Sequence, residues 1–242
     1  MLTQLPEWMR HEFAEVRAGP TLAVVRNDFA ASFDRQHLID CPRAPLVVLP
    51  REGQPGGRGP VRIVPAGPLG EAVVRRCRRG GLVEKFNRHR YFLGNRAFAE
   101  LVTTHRLRRR GAPVPEALAA VQTKGRLGYT ACMVTRRIPR AQPAAAVLAG
   151  APDAMVRSVL AAIGRSIRQF HEAGGMHADL NAFNILVSED EESVPFVIDL
   201  DRGSVGGGAV SAHRARQNLR RLHRSFRKLG LERALQELSL IH

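Results

Sequence analysis

The sequence predicts an α+β fold in which a small, antiparallel β-rich lobe is followed by a mainly helical lobe. Over residues 46–138, short β-favouring runs such as VRIVPAG and EAVVRRC alternate with turns rich in Gly and Pro, which is typical of small antiparallel sheets. Over residues 139–242, the longest segments have a helical period. Residues 1–45 have weak periodicity and are predicted to form an N-terminal arm that packs on the residues that follow it. We interpret the three segments as parts of a single domain.

Periodicity and turn signals divide each lobe into elements. In the first lobe, residues 95–109 are predicted to form a helix, because apolar side chains recur at helical spacing before Gly111 and Pro113. Strands are predicted at residues 46–49, in the runs VRIVPAG and EAVVRRC, and at residues 117–121 and 129–134. In the second lobe, strands at residues 185–187 and 196–200 are predicted between helices at residues 154–172 and 212–229.

The charge of the chain indicates an anionic partner. The 242 residues include 37 Lys and Arg against 22 Asp and Glu, which gives a formal net charge of +15 and a pI near 11.4. Nucleic acid, anionic lipid headgroups and a phosphorylated substrate would each fit such a surface. A general enrichment in Arg would also raise the charge. Composition alone leaves these alternatives open.

Neither a membrane span nor a metal-binding cysteine cluster is predicted. The longest apolar runs, such as residues 144–149, are far shorter than the roughly 20 residues that cross a bilayer, and the N-terminus lacks the basic-then-apolar order of a signal peptide. Cys41, Cys77 and Cys132 are scattered, so we expect reduced thiols rather than zinc ligands or disulfides. We therefore expect a protein of the cytosol or of the cytosolic face of a membrane.

The segment HADLNAFN, residues 177–184, restricts the function most. It lies between a predicted helix and a predicted strand and fits the pattern H-x-D-x-x-x-x-N, in which the Asp orients and deprotonates an attacking hydroxyl and the Asn holds Mg²⁺. These residues are Asp179 and Asn184. Asp199 follows at the end of the next predicted strand, where a kinase fold places its second Mg²⁺ ligand.

Each of these residues alone has an ordinary structural explanation. A histidine such as His177 is often bonded to buried backbone, Asp and Asn favour turns, and an Asp after a strand can cap a helix. All of them together, in this order and at these element ends, favour catalysis. The motif therefore predicts an ATP- and Mg²⁺-dependent phosphotransferase with a bilobal, protein-kinase-like fold. Asp179 is its predicted catalytic base, and Asn184 and Asp199 are its predicted metal ligands.

Upstream residues complete the predicted nucleotide site with weaker signals. The run AVVR ends in Arg75, at the place of the strand Lys that contacts nucleotide phosphates in kinases, and Glu100 lies in the following helix, where it can pair with that cation. Arg75 or its neighbour Arg76 is interpreted as a phosphate ligand, with simple surface charge as the alternative. Gly57 and Gly59 have the close spacing of a phosphate-covering loop, and an ordinary hairpin turn fits equally well.

The segments that carry these residues resemble a known family. RRCRRGGLVEKF, NRAFAE, GAPVPEALAA, HADLNAFNILV and VIDLDRG are similar to the lipopolysaccharide kinase family of Gram-negative bacteria, from about residue 56 to the C-terminus. The resemblance implies that the γ-phosphate of ATP is transferred to the 4-hydroxyl of a 3-deoxy-D-manno-octulosonic acid (Kdo) residue on lipid IV(A). It also implies a peripheral enzyme at the cytoplasmic face of the bacterial inner membrane, with the site residues in the roles given above.

Two other functions stay open as alternatives, namely a phosphotransferase for a soluble sugar or antibiotic and a catalytically inactive basic binding module. The intact set of Asp179, Asn184 and Asp199 argues against the inactive module. No A-P-E segment follows Asp199, which disfavours a protein acceptor. No nucleic-acid partner is expected, because two Tyr and one Trp are too few for an RNA-binding surface in which aromatic and basic residues alternate.

The predicted C-terminal helix is strongly basic. Its apolar residues form one stripe that is expected to pack on the helical lobe: Leu219, Leu222, Phe226 and Leu229. Seven cations occupy the remaining faces: Arg214, Arg216, Arg220, Arg221, Arg224, Arg227 and Lys228. We expect this basic surface to meet anionic lipid headgroups or the phosphates of the acceptor. A merely solvated surface is the alternative.

Overall fold

The structure, a computed structural model, describes residues 5–32, 61–77, 96–126, 128–188 and 194–231. The chain divides into two compact units. The first lies within Met1–Val102 and Glu116–Arg137, and the second within Thr103–Pro115 and Ile138–His242. Strands dominate the first unit and helices the second, as the α+β class predicts. The predicted division at residue 139 lies next to Ile138, whereas residues 103–115 belong to the second unit.

The first unit is built on one six-stranded sheet. Neighbouring strands pair antiparallel in the order β1-β2-β5-β6-β4-β3. The strands are β1 (Phe13–Ala18), β2 (Thr21–Arg26), β3 (Val61–Pro65), β4 (Glu71–Arg76), β5 (Ala117–Lys124) and β6 (Tyr129–Arg136). The helices are α1 (Asn27–Ala30) and α2 (Arg96–Arg109), with 3₁₀ turns at Glu7–Met9 and Gly67–Leu69.

Alternate residues of the strands fill two apolar clusters on opposite faces of this sheet. Because side chains alternate along a strand, Ala72 and Val74 of β4 share one cluster. Cys77, one residue past β4, belongs to the other cluster, which also contains Phe98 of α2. Arg75 has the same parity as Cys77. Its side chain therefore emerges on the sheet face that α2 covers.

Two strands of the sheet lie in the segment predicted to be an N-terminal arm, which corrects that prediction. β1 and β2 form a hairpin, and β2 continues the sheet by pairing with β5. The sequence signal was weak for a physical reason. β2 is buried on both faces and β1 is mostly exposed, so neither shows the alternation of apolar and polar residues that marks a half-buried strand.

Within the described ranges, the second unit contains the remaining helices and five short strands. The helices are the second half of α2, then α3 (Ala144–Leu148), α4 (Asp153–Glu172) and α5 (Ala212–Lys228). The strands are β7 (Ala141–Pro143), β8 (Gly175–Met176), β9 (Ile185–Ser188), β10 (Phe196–Val197) and β11 (Ser204–Val205). β9 lies between β7 and β10 in one sheet, and β8 pairs with β11. The predicted catalytic loop, residues 177–184, connects β8 to β9.

Helix α4 forms the centre of the apolar core of this unit. Its buried apolar side chains recur every three or four residues, as the amphipathic pattern predicts: Val156, Leu160, Ile163, Ile167 and Phe170. They cluster with Leu222 and Phe226 of α5. The chain leaves α4 through Gly174, whose φ is +86°, and a Cβ added there would lie 2.7 Å from the carbonyl oxygen of Gly208. This turn therefore requires glycine.

Several element boundaries differ from the predicted ones. The strand expected at residues 196–200 ends at Val197, because Asp199 has a left-handed φ of +68°, which is incompatible with a strand. The strand expected at residues 46–49 lies outside the described residues. Cys77 and Cys132 are buried and form no disulfide within the described residues, and Cys41 lies outside those residues. In the part of the chain that the structure describes, no helix is long and apolar enough to cross a membrane.

Candidate active site

Arg75 and Glu100 form an ion pair in the first unit. Nη2 of Arg75 on β4 lies 2.5 Å from Oε1 of Glu100 on α2. The Glu100 side chain is 4% exposed and the Arg75 side chain 21%, so loss of either partner would leave the other charge in a poorly solvated position. Arg76 has the opposite parity on β4 and emerges on the other face of the sheet. The structure therefore selects Arg75, not Arg76, as the partner of Glu100.

In the second unit, His177 holds the backbone of Asp179 in the loop between β8 and β9. The N–H of Asp179 donates to Nδ1 of His177 over 3.0 Å, and Nε2 of His177 lies 3.0 Å from the carbonyl oxygen of Ile198. A ring nitrogen that accepts from an amide carries no proton, so the imidazole is neutral and donates through Nε2. His177 thereby ties the loop to the segment that carries Asp199.

Asn184 and Asn181 complete the hydrogen bonding of this loop. Nδ2 of Asn184 donates to the carbonyl of Asp179 over 2.8 Å. Nδ2 of Asn181 donates to the same carbonyl and to Oδ2 of Asp179 over 3.1 Å, and its Oδ1 accepts from the N–H groups of Phe183 and Asn184. Asp179 is nevertheless exposed. Its other carboxylate oxygen, Oδ1, makes no hydrogen bond within the described residues and can accept one from a substrate hydroxyl.

Asp199 and Asn184 lie on neighbouring segments at one end of the β9–β10 pair. Val197 is paired with Ile185, and the N–H of Ile198 donates to the carbonyl of Asn184 over 3.0 Å. The left-handed φ of Asp199 costs a non-glycine residue about 1 kcal/mol or more, although Asp and Asn tolerate it best. Such strain is common at functional sites. The local fold thus brings together the two segments that carry the predicted metal ligands.

Two residues of α5, which are not part of the sequence motif, anchor both ends of the loop. Oδ1 of Asn218 accepts from the N–H of His177 over 3.1 Å, and Nδ2 of Asn218 donates to the His177 carbonyl over 2.7 Å. Oγ of Ser225 accepts from the N–H of Ala182 over 3.1 Å. Asn218 is fully buried. Its signal in the sequence is an uncharged amide within an otherwise basic helix, which is too weak to identify it alone.

The donor atoms of Asn184 and Asp199 suit Mg²⁺. Nδ2 of Asn184 donates to the Asp179 carbonyl, so the amide oxygen of Asn184 points away from that carbonyl. Asp199 supplies a carboxylate. Mg²⁺ prefers oxygen ligands, and amide and carboxylate oxygens both serve. In phosphotransferases it is held by one or two side chains with substrate phosphates and waters. It therefore does not need a cluster of three or more His, Cys, Asp or Glu residues, of which the described ranges contain none. The metal site stays a prediction.

The remaining predicted site residues, Gly57 and Gly59, lie outside the described residues. Their role as a phosphate-covering loop stays a prediction. The structure thus contains two local arrangements, the Arg75–Glu100 pair in the first unit and the loop of Asp179 with its neighbours in the second. Both match the order and the element positions that the sequence motif predicts.

Comparison of the sequence with models of protein families identifies the family of this chain. The sequence model of the lipopolysaccharide kinase (Kdo/WaaP) family matches residues 53–239 of this chain, which includes every predicted site residue. The chain belongs to this family. The predicted family resemblance is therefore confirmed. As a lipopolysaccharide kinase, the protein is an ATP-using phosphotransferase that acts on a hydroxyl group, and the two alternative functions are not favoured.

Curated relatives of this lipopolysaccharide kinase are named 3-deoxy-D-manno-octulosonic acid kinase. The protein of Xanthomonas axonopodis pv. citri (strain 306) is 38% identical over 192 residues, which are 76% of this chain and 72% of the relative. The protein of Xylella fastidiosa (strain M23) is 37% identical over 185 residues, which are 74% of this chain and 71% of the relative. Similarity at this level extends well beyond the catalytic motif.

A solved structure supports the fold of this lipopolysaccharide kinase. The structure described as WaaP in complex with acyl carrier protein aligns with a TM-score of 0.58 at 18% identity, over 90% of this chain and 87% of that chain. At this identity the likeness concerns the fold alone. It confirms the predicted α+β, protein-kinase-like fold class.

Replacement of Arg75 by Ala in this lipopolysaccharide kinase is expected to raise the KM for ATP and to lower kcat. Loss of a hydrogen-bonded charge costs about 1.5–3 kcal/mol, which corresponds to a decrease in kcat/KM of roughly 10- to 100-fold. Arg75→Lys should recover part of the loss, because it keeps the charge but not the planar guanidinium. Steady-state kinetics with varied ATP measures both effects.

Arg26 offers a matched control in the same unit. Arg26 pairs with Asp28 and Glu116. Burial alone would lower the pKa of Arg26, but the hydrogen bonds and charges of these two carboxylates raise it above its ordinary value. Arg26→Ala also removes a paired guanidinium, from a strand not adjacent to β4, and should leave the KM for ATP unchanged. If Arg75→Ala has wild-type kinetics at an unchanged melting temperature, Arg75 is not a phosphate ligand.

Proposed function

We propose that this lipopolysaccharide kinase transfers the γ-phosphoryl group of ATP to the 4-hydroxyl of a Kdo residue on lipid IV(A). The observation that carries the proposal is the hydrogen-bonded loop 177–184, which presents an exposed Asp179. It occurs in a chain that is 38% identical to a 3-deoxy-D-manno-octulosonic acid kinase. A sugar hydroxyl is a neutral nucleophile, so its reaction requires a positioned base and a site for the phosphates of the nucleotide.

Asp179 is the proposed catalytic base. Its Oδ1 would accept the hydrogen bond of the sugar hydroxyl and take up its proton as the oxygen bonds to the γ-phosphorus. The bond from that phosphorus to the β,γ-bridging oxygen would break, and ADP would leave. His177 and Asn184 hold the backbone of Asp179, and Asn181 donates to its Oδ2. The residue is therefore held in place before the substrate binds, so little reorganisation is needed. Phosphoryl transfer depends mainly on positioning and charge stabilisation, and this loop would supply the positioning.

Asn184 and Asp199 are the proposed Mg²⁺ ligands, through the amide oxygen and the carboxylate. Mg²⁺ bound there would neutralise charge on the phosphate oxygens of ATP. Arg75 is the proposed phosphate ligand, and the pair with Glu100 would keep its guanidinium in one orientation. Gly57 and Gly59 are proposed to cover the phosphates through their backbone N–H groups.

The proposed function is tested by incubation of the purified enzyme with ATP, Mg²⁺ and Kdo-lipid IV(A). Mass spectrometry of the lipid should show the addition of one phosphate, and NMR should place the phosphorus on the 4-hydroxyl of Kdo. Parallel reactions contain free Kdo or an aminoglycoside as soluble acceptors. Faster phosphorylation of a soluble acceptor would contradict the proposal in favour of a soluble-sugar or antibiotic kinase. ATP turnover with none of these acceptors would contradict it as well.

A peripheral position on the cytoplasmic face of the bacterial inner membrane is part of this proposal, because the acceptor is a lipid. All seven cations of α5 are exposed, whereas Leu222 and Phe226 of its apolar stripe are buried in the core of the second unit, as the sequence predicts. Partial burial and, after it, the charge of Arg227 lower the pKa of His223, so this imidazole is neutral at pH 7. The exposed arginines and lysine would therefore provide the attraction to anionic headgroups.

Replacement of Arg220, Arg224 and Arg227 by Gln is expected to weaken binding to anionic vesicles. The three residues lie within about 60° of one another on the helix, on the side away from its buried residues. Each cation near an anionic surface contributes about 1 kcal/mol, so the affinity should fall by up to about 3 kcal/mol. Co-sedimentation with anionic and neutral vesicles across a salt series measures the loss.

The matched control for this measurement is on α4. Arg157, Arg165 and Arg168 are exposed and lie on one face of that helix, so their joint replacement by Gln removes the same charge from the same unit. This variant should retain most of the vesicle affinity. Binding that depends on neither lipid charge nor salt, or equal losses in the two variants, would rule out docking through α5.

A further inference from the structure

The side of α5 that holds the catalytic loop is directly next to a row of cations. Asn218 and Ser225 bond to the two ends of the loop, at His177 and Ala182. They are seven residues apart, and residues at that spacing differ by only about 20° around a helix. The loop therefore runs along one row of α5.

This row is the border between the buried and the exposed surface of the helix. Leu222, on one side of it, is buried, and Arg221, on the other side, is exposed. Arg214 and Lys228, seven residues before and after Arg221, are exposed as well. These three residues, which we call the loop-side cations, lie within about 40° of one another. They form the exposed row adjacent to Asn218 and Ser225.

The loop-side cations differ in position from the outward group of Arg220, Arg224 and Arg227. The two groups are separated by about 90° around the helix axis. Within the described residues, none of the loop-side cations forms an ion pair with an acidic side chain, unlike Arg26 or Arg75. The part of the loop between its two anchors includes the exposed residues Ala178 and Asp179. Unneutralised positive charge is thus placed beside the loop on which the acceptor hydroxyl would react.

We propose that Arg214, Arg221 and Lys228 form the site that binds the anionic groups of the acceptor glycolipid. This inference rests on the proposed function. The ligand chemistry is an oxyanion at some distance from the reacting hydroxyl, either the carboxylate of the sugar acid or a phosphate on the glycolipid backbone. Arginine binds both in a bidentate manner, and lysine adds a point charge. Binding there would orient the acceptor so that one hydroxyl reaches Asp179, which is the positioning that phosphoryl transfer requires.

The test uses the enzyme with Arg214, Arg221 and Lys228 replaced by Gln. Its two acceptors are water-soluble, so membrane docking makes no contribution to the measured kinetics. Both are deacylated Kdo-containing oligosaccharides, one with phosphates on its glucosamine backbone and one without. The KM for the acceptor should rise by at least about tenfold, since each lost charge-assisted contact has an effect of that order. The KM for ATP should not change. The triple replacement of Arg157, Arg165 and Arg168 by Gln is the control and should leave both constants at wild-type values.

The two acceptors identify the bound anion. A rise in KM for the phosphorylated acceptor alone assigns the site to phosphate, and a rise for both assigns it to the carboxylate. An unchanged KM for both acceptors, with wild-type turnover, overturns the inference and leaves the proposed function intact. Equilibrium binding of the same acceptors, measured without ATP, tests the site even if the proposed function fails. The proposed function fails if the wild-type enzyme binds the acceptors but phosphorylates neither. In that case, weaker binding by the triple Gln variant of the loop-side cations still supports the site, and equal binding overturns it.

Discussion

Replacement of Asp179 by Asn is expected to lower kcat by at least about 100-fold, the usual scale of general-base catalysis. The amide keeps the size of the side chain and an oxygen that can accept from Asn181, so the loop should stay in place. It cannot take up the proton of the acceptor hydroxyl. Because Asp179 is not a proposed ligand of the nucleotide, the affinity for ATP should change much less than kcat. Single-turnover kinetics and ATP calorimetry measure the two quantities separately.

Asp153→Asn is a suitable control for this experiment. Asp153 is exposed in the first turn of α4, so the substitution removes one carboxylate charge from the same unit without touching the loop. Its kcat should be close to that of the wild type. An Asp179→Asn enzyme that also turns over at a rate near that of the wild type would mean that Asp179 is not the base. A loss confined to ATP affinity would instead place Asp179 in the nucleotide site.

Replacement of Asp199 by Ala is expected to abolish Mg²⁺-dependent nucleotide binding. The substitution removes a proposed carboxylate ligand of the metal, and one of only two protein ligands proposed for it. Titration calorimetry of ATP with and without Mg²⁺ measures the effect. The wild-type enzyme should bind ATP more tightly with Mg²⁺, and the variant should show no such difference. Normal binding of the Mg²⁺–ATP complex to the variant would show that the metal site lies elsewhere.

A second variant separates the metal ligand from the backbone conformation. Asp199 has a left-handed φ of +68°, which Ala adopts at a higher cost than Asp or Asn. Asp199→Gly adopts this conformation without steric cost and has no side-chain oxygen to offer the metal. If metal binding is the cause, both variants should lose the Mg²⁺ dependence. If backbone strain is the cause, Asp199→Gly should bind like the wild type while Asp199→Ala does not.

Much of the candidate site could be predicted because its residues are close together in the chain. Asp179 and Asn184 belong to the one loop between β8 and β9, and their spacing is set by the geometry of that loop. The elements around it were also predictable, since α4 and α5 have strong amphipathic patterns. The Arg75–Glu100 pair was predicted from the order of a strand and the following helix. Strand parity separates Arg75 from Arg76, but only the structure shows that Arg75 is the one that pairs with Glu100 on α2.

The hairpin of β1 and β2 shows where pattern reasoning fails. β2 lies inside the sheet beside β5, and both of its faces are buried, whereas β1 lies at the edge and is mostly exposed. A strand shows alternating apolar and polar residues only when one face is buried and the other solvated. The segment therefore had weak periodicity, although it supplies two of the six strands.

The order and spacing of the chemical groups along the chain are sufficient to predict the catalytic class of this lipopolysaccharide kinase. How those groups are held depends on contacts that form only in the folded protein. The bonds from Asn218 and Ser225 to the loop join positions about 40 residues apart in sequence. No local pattern encodes such a contact, since burial of Asn218 depends on what packs against α5. The same packing divides the cations of that helix into a loop-side row and an outward group, a distinction that the sequence, which shows only a basic helix, does not contain.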